Sequence, residues 1–169
     1  MASQSLVIAN TTPLINFAEI GRLELLRDLF GEVAVPPAVM EELQAKRDQF
    51  PAAAGVCEAP YVRVRDATDR ALVEVLRRGL HAGEADCVAL ALEAGPALLL
   101  LDDLAARDVA EHHGLRFTGT VGCLRAAKDL GLIDAVAPLL ADLQTKARFW
   151  LTTQLAGQVL RDVGEQPPH

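Results

Sequence analysis

Short apolar, β-branched runs alternate with longer stretches of helical spacing through most of the chain, and that alternation predicts its elements. Ser5–Ala9 (SLVIA) reads as a strand that breaks at Asn10-Thr11-Thr12-Pro13, the capping chemistry of a helix start. Apolar residues at helical spacing predict helices over Pro13–Ile20 and Arg22–Phe30, separated by Gly21. Gly31–Val35 follows as a second strand, and Pro36-Pro37 offers a pre-set entry to a helix over Ala38–Arg47. Gln49–Pro60, rich in Ala, Gly and Pro, reads as a loop, and Tyr61–Arg65, with Val62 and Val64 between arginines, as a half-exposed edge strand. Asp69–Leu80 is expected to be helical, with Leu72, Val75 and Leu76 inward and Arg77 and Arg78 solvated.

The stretch Gly83–Asp103, GEADCVALALEAGPALLLLDD, is the centre of the pattern. Its first part is an almost wholly apolar helix opened by Glu84 and Asp86; Gly95-Pro96 stops it, and the apolar strand Ala97–Leu101 then delivers Asp102 and Asp103. A helix over Asp103–His113, a strand over Gly114–Thr118 and a helix over Thr120–Leu130 complete the alternation. Alternating βα units imply an α/β fold, a single-domain parallel-sheet αβα sandwich. The domain is placed at residues 1–130, helices packed on it at 131–163 with a break near Phe149 and Trp150, and a free tail at 164–169.

Composition narrows the function. The 169 residues are 51% hydrophobic, enough for the core of one domain, and carry a net charge of -7, which excludes a protein that grips nucleic acid mainly through a basic surface. Any nucleic-acid chemistry then needs a metal ion or a local patch. Cys57, Cys87 and Cys123 have neither CxxC nor zinc-ligand spacing. With no apolar run of about 18 residues and no leader pattern, no membrane association is expected and the cytoplasm is the expected location.

Polar candidates stand at four strand-to-helix regions: Asn10 with Thr11 and Thr12, Glu41 with Glu42, Glu84 with Asp86, and Asp102 with Asp103. On the helix beginning at Ala38, Val39, Met40 and Leu43 define the core face; Glu42 falls about 107° from its centre and Glu41 about 153°, so Glu42 lies at the boundary and Glu41 faces solvent. Glu84 shares a stripe with Cys87, Val88 and Ala91 and is the expected inward acid of its pair. Each acid alone has an ordinary explanation, as a first-turn helix residue or a cap. Gathered, they repel unless a hard cation sits among them, and oxygen-only donors suit Mg2+ or Mn2+. Such an ion polarises a phosphodiester and lowers the pKa of bound water. Thr12 could add a hydroxyl, and Arg107, one turn beyond Asp103, could bind a phosphate or pair with that acid. The adjacent His112 and His113 point to different helix faces and read as a solvated helix end, and Gly119–Gly122 as a tight turn with Thr120 as cap. No GxGxxG follows the first strand, which weakens a dinucleotide-binding reading.

The segments VIANTTPLINFAEIGRLELL (7–26), VAVPPAVMEEL (33–43), GEADCVALALEAG (83–95), LLLDDLAARDVAEHHGL (99–115) and GTVGCL (119–124), in this order and spacing, resemble the PIN-domain family, in the branch of small prokaryotic proteins related to VapC-type toxin components. The resemblance implies a parallel αβα sandwich, Mg2+- or Mn2+-dependent endoribonuclease chemistry on an RNA substrate, a homodimer, and a small antitoxin partner. It also implies a site: the family's acids fall on Asn10, Glu42, Glu84 and Asp102, with Asp103 adjacent, beside which Thr12 and Arg107 stand as the supporting residues read above. The family usually has Asp where this chain has Asn10. An amide is a neutral ligand, so a second reading stands beside the nuclease: a non-catalytic or weakly active module of the same fold that binds a partner protein or nucleic acid.

Overall fold

The computed structural model describes residues 5–167. The strands are β1 (Leu6–Ala9), β2 (Val33–Val35), β3 (Val62–Val64), β4 (Ala97–Leu100) and β5 (Arg116–Thr118), joined in one parallel sheet of order β3-β2-β1-β4-β5. The helices are α1 (Thr11–Glu19), α2 (Glu24–Phe30), α3 (Pro37–Ala45), α4 (Ala53–Glu58), α5 (Arg70–Leu76), α6 (Ala82–Ala94), α7 (Leu104–His112), α8 (Thr120–Asp129), α9 (Ala137–Thr145) and α10 (Thr153–Asp162). This is the expected αβα arrangement, and among the described residues no helix is long and apolar enough to cross a membrane.

The centre of the sheet follows from the apolar runs. In β1, Val7, Ile8 and Ala9 are buried, and Leu99 and Leu100 of β4 and Leu101 just after it are fully so. Strands covered on both faces read as continuous apolar runs, so these two lie in the middle. They pair in register from Leu6 opposite Ala97 to Ala9 opposite Leu100. From β1 the chain winds outward through β2 to β3, and from β4 in the other direction to β5. The strand order therefore reverses between β1 and β4, and the carboxyl ends of these strands form the crevice in which open α/β sheets bind ligands.

Helix α6 is the other central element. Gly83–Ala91 is buried without a break, and the helix packs on α3, α5, α7, β1 and β4. A helix enclosed on every side needs apolar or small residues all round, as its sequence supplies. Glu84 and Asp86 are therefore both buried, although only Glu84 was expected to point inward.

Several local expectations are corrected. The stretch expected as a loop contains α4, which buries Ala53 and Val56, three residues apart, against α1 and α3. In α5 the inward residue is Val73, whereas Val75 is 58% exposed. Arg77 is not simply solvated: its guanidinium makes a fork on Asp86, with Nε 3.1 Å from Oδ1 and Nη2 3.0 Å from each carboxylate oxygen. Thr120 is not the cap of α8. Gly119 holds that position, and the Thr120 hydroxyl turns back to the sheet edge. Glu165 accepts hydrogen bonds from Lys128 Nζ and from the backbone N–H of Val136 and Ala137 at 2.6–2.9 Å, against the expectation of a free tail from residue 164. Residues 168 and 169 of that tail lie outside the described residues.

Candidate active site

The site begins where β1 and β4 end. The Asn10 N–H donates to Leu100 O at 3.1 Å, which fixes the start of α1 beside the strand that leads to Asp102. Asn10 is the N-cap of α1 and is buried, yet its side chain makes no cap hydrogen bond. Its amide oxygen instead approaches α6: a Cβ placed on Gly83 would lie 3.3 Å from Asn10 Oδ1, 3.5 Å from Glu42 Oε2 and 3.2 Å from Val39 Cγ2. Gly83 is thus the point at which Asn10 and Glu42 come together, and the missing side chain there makes room for both.

Glu42 emerges from α3 at the edge of its buried face, with Val39 and Leu43 inward and Glu41 exposed, as the helical spacing predicted. Its Oε2 accepts from the Thr11 hydroxyl at 2.8 Å, and its Oε1 lies 2.7 Å from Lys46 Nζ. Burial pushes the Glu42 carboxyl up, but the hydrogen bonds from Lys46 and Thr11 outweigh it and leave the group below its ordinary value. The supporting hydroxyl is that of Thr11, not the expected Thr12, which is exposed. Alternate residues at a helix start face different ways, and here the first of the two threonines faces the acids.

Glu84 lies in the first turn of α6 and accepts the His81 N–H at 3.2 Å. It lines a cleft of about 310 Å³ together with Asp103, His81, Arg77 and Arg78. Burial pushes the Glu84 carboxyl up, and the charges of Asp103 and Glu42 push it the same way against the His81 hydrogen bond. Asp86, two residues further along α6, is committed to Arg77.

The two aspartates after β4 divide their roles. Asp103 is the N-cap of α7 and accepts the Ala106 N–H at 2.9 Å. Asp102 instead reaches across to α8: Oδ1 accepts the Thr120 N–H at 2.9 Å, and Oδ2 accepts the Thr120 hydroxyl at 2.5 Å and Asn16 Nδ2 at 3.3 Å. Asn16 also donates to Thr120 Oγ1 at 3.2 Å, closing a buried triangle. Arg107 donates from Nε to Leu101 O at 2.8 Å and holds Nη2 3.8 Å from Asp102 Oδ1. Its acid neighbour is therefore Asp102 and not the expected Asp103. A Cβ on Gly119 would come within 2.5 Å of Asp102 Oδ1 and would collide with the Arg107 guanidinium, so only glycine admits this approach.

The structure thus sets the side chains of Asn10 and Glu42 both against Gly83, places Glu84 and Asp103 on one cleft, and holds Asp102 separately against α8. Among the described residues no three His, Cys, Asp or Glu side chains stand close enough to form a ready metal cage. The donor set still suits a hard cation: it is made of oxygens, and a divalent ion would offset both the burial that chiefly raises the Glu84 carboxyl and the repulsion from Asp103 and Glu42 that adds to it. Sequence reasoning named Thr11 only as a candidate beside Asn10, giving the supporting role to Thr12, and missed Asn16. A signal for Asn16 was present, since a polar residue within the apolar run Leu14–Phe17 on a buried helix needs a polar partner.

The architecture defines a class: a parallel α/β sandwich with oxygen-bearing side chains near its topological switch point. A family model described as a PIN domain matches residues 6–165, and the chain belongs to that family. The PIN domain is a nuclease-type fold, and its members generally use divalent metal ions. None of the curated proteins matches the chain significantly.

Proposed function

We propose that the chain is a metal-dependent endoribonuclease of VapC-like toxin type. The observation that carries this reading is Glu84, a buried acid raised by burial and by its neighbours Asp103 and Glu42 at the ligand-binding edge of a nuclease-type fold. Glu42, Glu84 and Asp102 would hold Mg2+ or Mn2+, with Asn10 as a neutral oxygen ligand and Asp103 in support. The bound ion would polarise the phosphodiester and lower the pKa of an attacking water. Thr120 and Asn16 fix the direction of Asp102, and Thr11 does so for Glu42. Arg107, beside Asp102, presents a guanidinium to a phosphate oxygen. The same family likeness supports a homodimer, a small antitoxin partner and a cytoplasmic location as parts of the reading.

A second reading has its own observation. Glu42 is already engaged by Lys46 and Thr11, and Asn10 supplies no charge, which suits a weakly active or non-catalytic module that binds a partner. Incubation of the purified protein with a mixed RNA panel and Mn2+ separates the two. Cleavage that requires Mn2+ and is lost in Asp102→Asn supports the nuclease; cleavage unchanged by that substitution would sink the assignment of Asp102, and absence of both cleavage and calorimetric metal binding favours the module.

A further inference from the structure

The chain's sole tryptophan stands where the candidate site gives no reason for it. Trp150 lies between α9 and α10 and is 84% exposed. A large aromatic ring is left in water at a cost, so its setting matters. The connection is not loose around it: the Phe149 N–H donates to Leu143 O at 2.9 Å, and Gln144 Nε2 donates to Leu151 O at 3.2 Å. Both neighbours of Trp150 are thereby pinned to α9. Just before them Arg148 turns the chain with φ of 54°, a backbone conformation that non-glycine residues adopt only where the surroundings impose it. The fold therefore holds the indole out on a fixed arm.

Trp150 lines a groove of about 640 Å³. Asp102, Phe117, Arg107 and Arg125 line it too, as do the exposed Leu104 and Leu155. The Arg107 guanidinium lies 5.6 Å from the Phe117 ring centroid. Arg125 is nearly half exposed, with Asp162 3.7 Å away. Arg107 and Arg125 thus place two cations along the groove, each beside an aspartate, Asp102 at 3.8 Å and Asp162 at 3.7 Å.

We propose that this groove is a binding subsite for single-stranded RNA, in which an unpaired base stacks on Trp150 while Arg107 and Arg125 receive the adjoining phosphates. The assignment rests on the nuclease reading for its choice of RNA, and on the groove for the rest. Single strands offer π faces and phosphates in alternation, and grooves that hold them combine stacking side chains with cations. A duplex hides its bases and does not supply the stacking partner.

Trp150 reports on its own occupancy. With EDTA present to prevent cleavage, titration of the protein with single-stranded oligoadenylate of about 10 nucleotides, within the range of such sites, is expected to quench its emission saturably. A duplex of the same length should leave it nearly unchanged. Binding of labelled oligoadenylate, followed by anisotropy, should weaken about tenfold in Trp150→Ala, less in Trp150→Tyr, and also in Arg125→Ala; both positions are exposed, and circular dichroism checks that the variants are folded. Absence of quenching, or unchanged affinity in folded Trp150→Ala, overturns the proposal. A blue shift that grows with protein concentration in the absence of RNA also overturns it and makes the groove a subunit interface. Stacking without any metal-dependent cleavage leaves the subsite standing and removes the nuclease reading; cleavage with a silent Trp150 does the reverse.

Discussion

Thr120 holds both oxygens of Asp102, one through its backbone N–H at 2.9 Å and the other through its hydroxyl at 2.5 Å. The carboxylate is thus oriented from α8 rather than by its own helix, and its direction depends on a side chain eighteen residues away. Groups that orient a metal ligand typically cost about 10–100-fold in metal affinity or activity when removed. Thr120→Val keeps the volume and the N–H but removes the hydroxyl, so it is expected to lower Mn2+-dependent cleavage by that range, and Thr120→Ser to restore most of it. Asn16→Ala should act in the same direction. Cleavage rates and calorimetric Mn2+ titrations of the four proteins give the check; a Thr120→Val enzyme of full activity would show that Asp102 needs no such orientation.

Arg77 and Asp86 make a different kind of pair. The Asp86 carboxylate is 3% exposed and depends on the Arg77 fork, whereas Arg77 itself reaches solvent. Removing the partner of a buried charge costs about 3–5 kcal/mol, because the remaining charge has no compensation. Arg77→Ala is therefore expected to destabilise the fold by about that amount in urea, and Asp86→Ala by less, since the guanidinium left behind can hydrate. The double variant Arg77→Ala, Asp86→Leu should recover part of the loss. Equal costs for the two single changes would contradict this asymmetry.

Glu165 gives a pH dependence with a definite sign. Burial pushes its carboxyl up, but Lys128 and the N–H groups of Val136 and Ala137 outweigh that and hold it below its ordinary value. A depressed folded pKa means that the unfolded chain takes up the proton first as pH falls. The stabilisation is present above the ordinary carboxylate range and is lost as pH falls through the lower folded value. Glu165→Gln should lower Tm at neutral pH, by about 2 kcal/mol in stability terms for hydrogen bonds to a charged group. The difference between the two proteins should shrink as melts are repeated at increasingly acid pH. A difference that does not change with pH would mean that packing, not charge, holds the tail.

The parts of the molecule that sequence made legible are those whose residues answer to one periodicity. β1 and β4 are unbroken apolar runs because both faces are covered, and α3 has one dominant apolar stripe, so the place of Glu42 at its boundary followed from spacing. Helix α5 is short and apolar at Leu72, Val73, Val75 and Leu76, which fits two rotations equally; packing against α6 chose Val73. Helix α4 was hidden by its Ala and Gly content and by Pro51 and Pro60 on either side, and its two buried positions are too few to set a period. In the site, the acids could be named from their places at strand and helix ends. Their partners could not: the bonds from Thr11 to Glu42 and from Asn16 and Thr120 to Asp102 join residues distant in sequence, and the Asp86–Arg77 pair exists only because α5 folds over α6.

Asn10 decides how the site works, and its replacement gives the sharpest test. The amide oxygen faces Gly83 beside Glu42 Oε2, with no cap bond to hold it elsewhere. Asn10→Asp changes little in volume but sets a negative charge near acids of which one, Glu84, is already pushed up by burial and by the charges of Asp103 and Glu42. Without a cation the added repulsion should lower stability by about 1 kcal/mol, the scale of one unit of pKa displacement. With Mn2+ the same charge becomes a ligand, and affinity is expected to rise about tenfold or more, with cleavage rising alongside it. The two effects have opposite signs, so melting the native and Asn10→Asp proteins in EDTA and in Mn2+ separates them from any general loss of packing. A variant less stable in EDTA and more stable than the native protein in Mn2+ places Asn10 at the ion. One that is indifferent to Mn2+ removes Asn10 from the ligand set and moves the balance toward a module that binds without cutting.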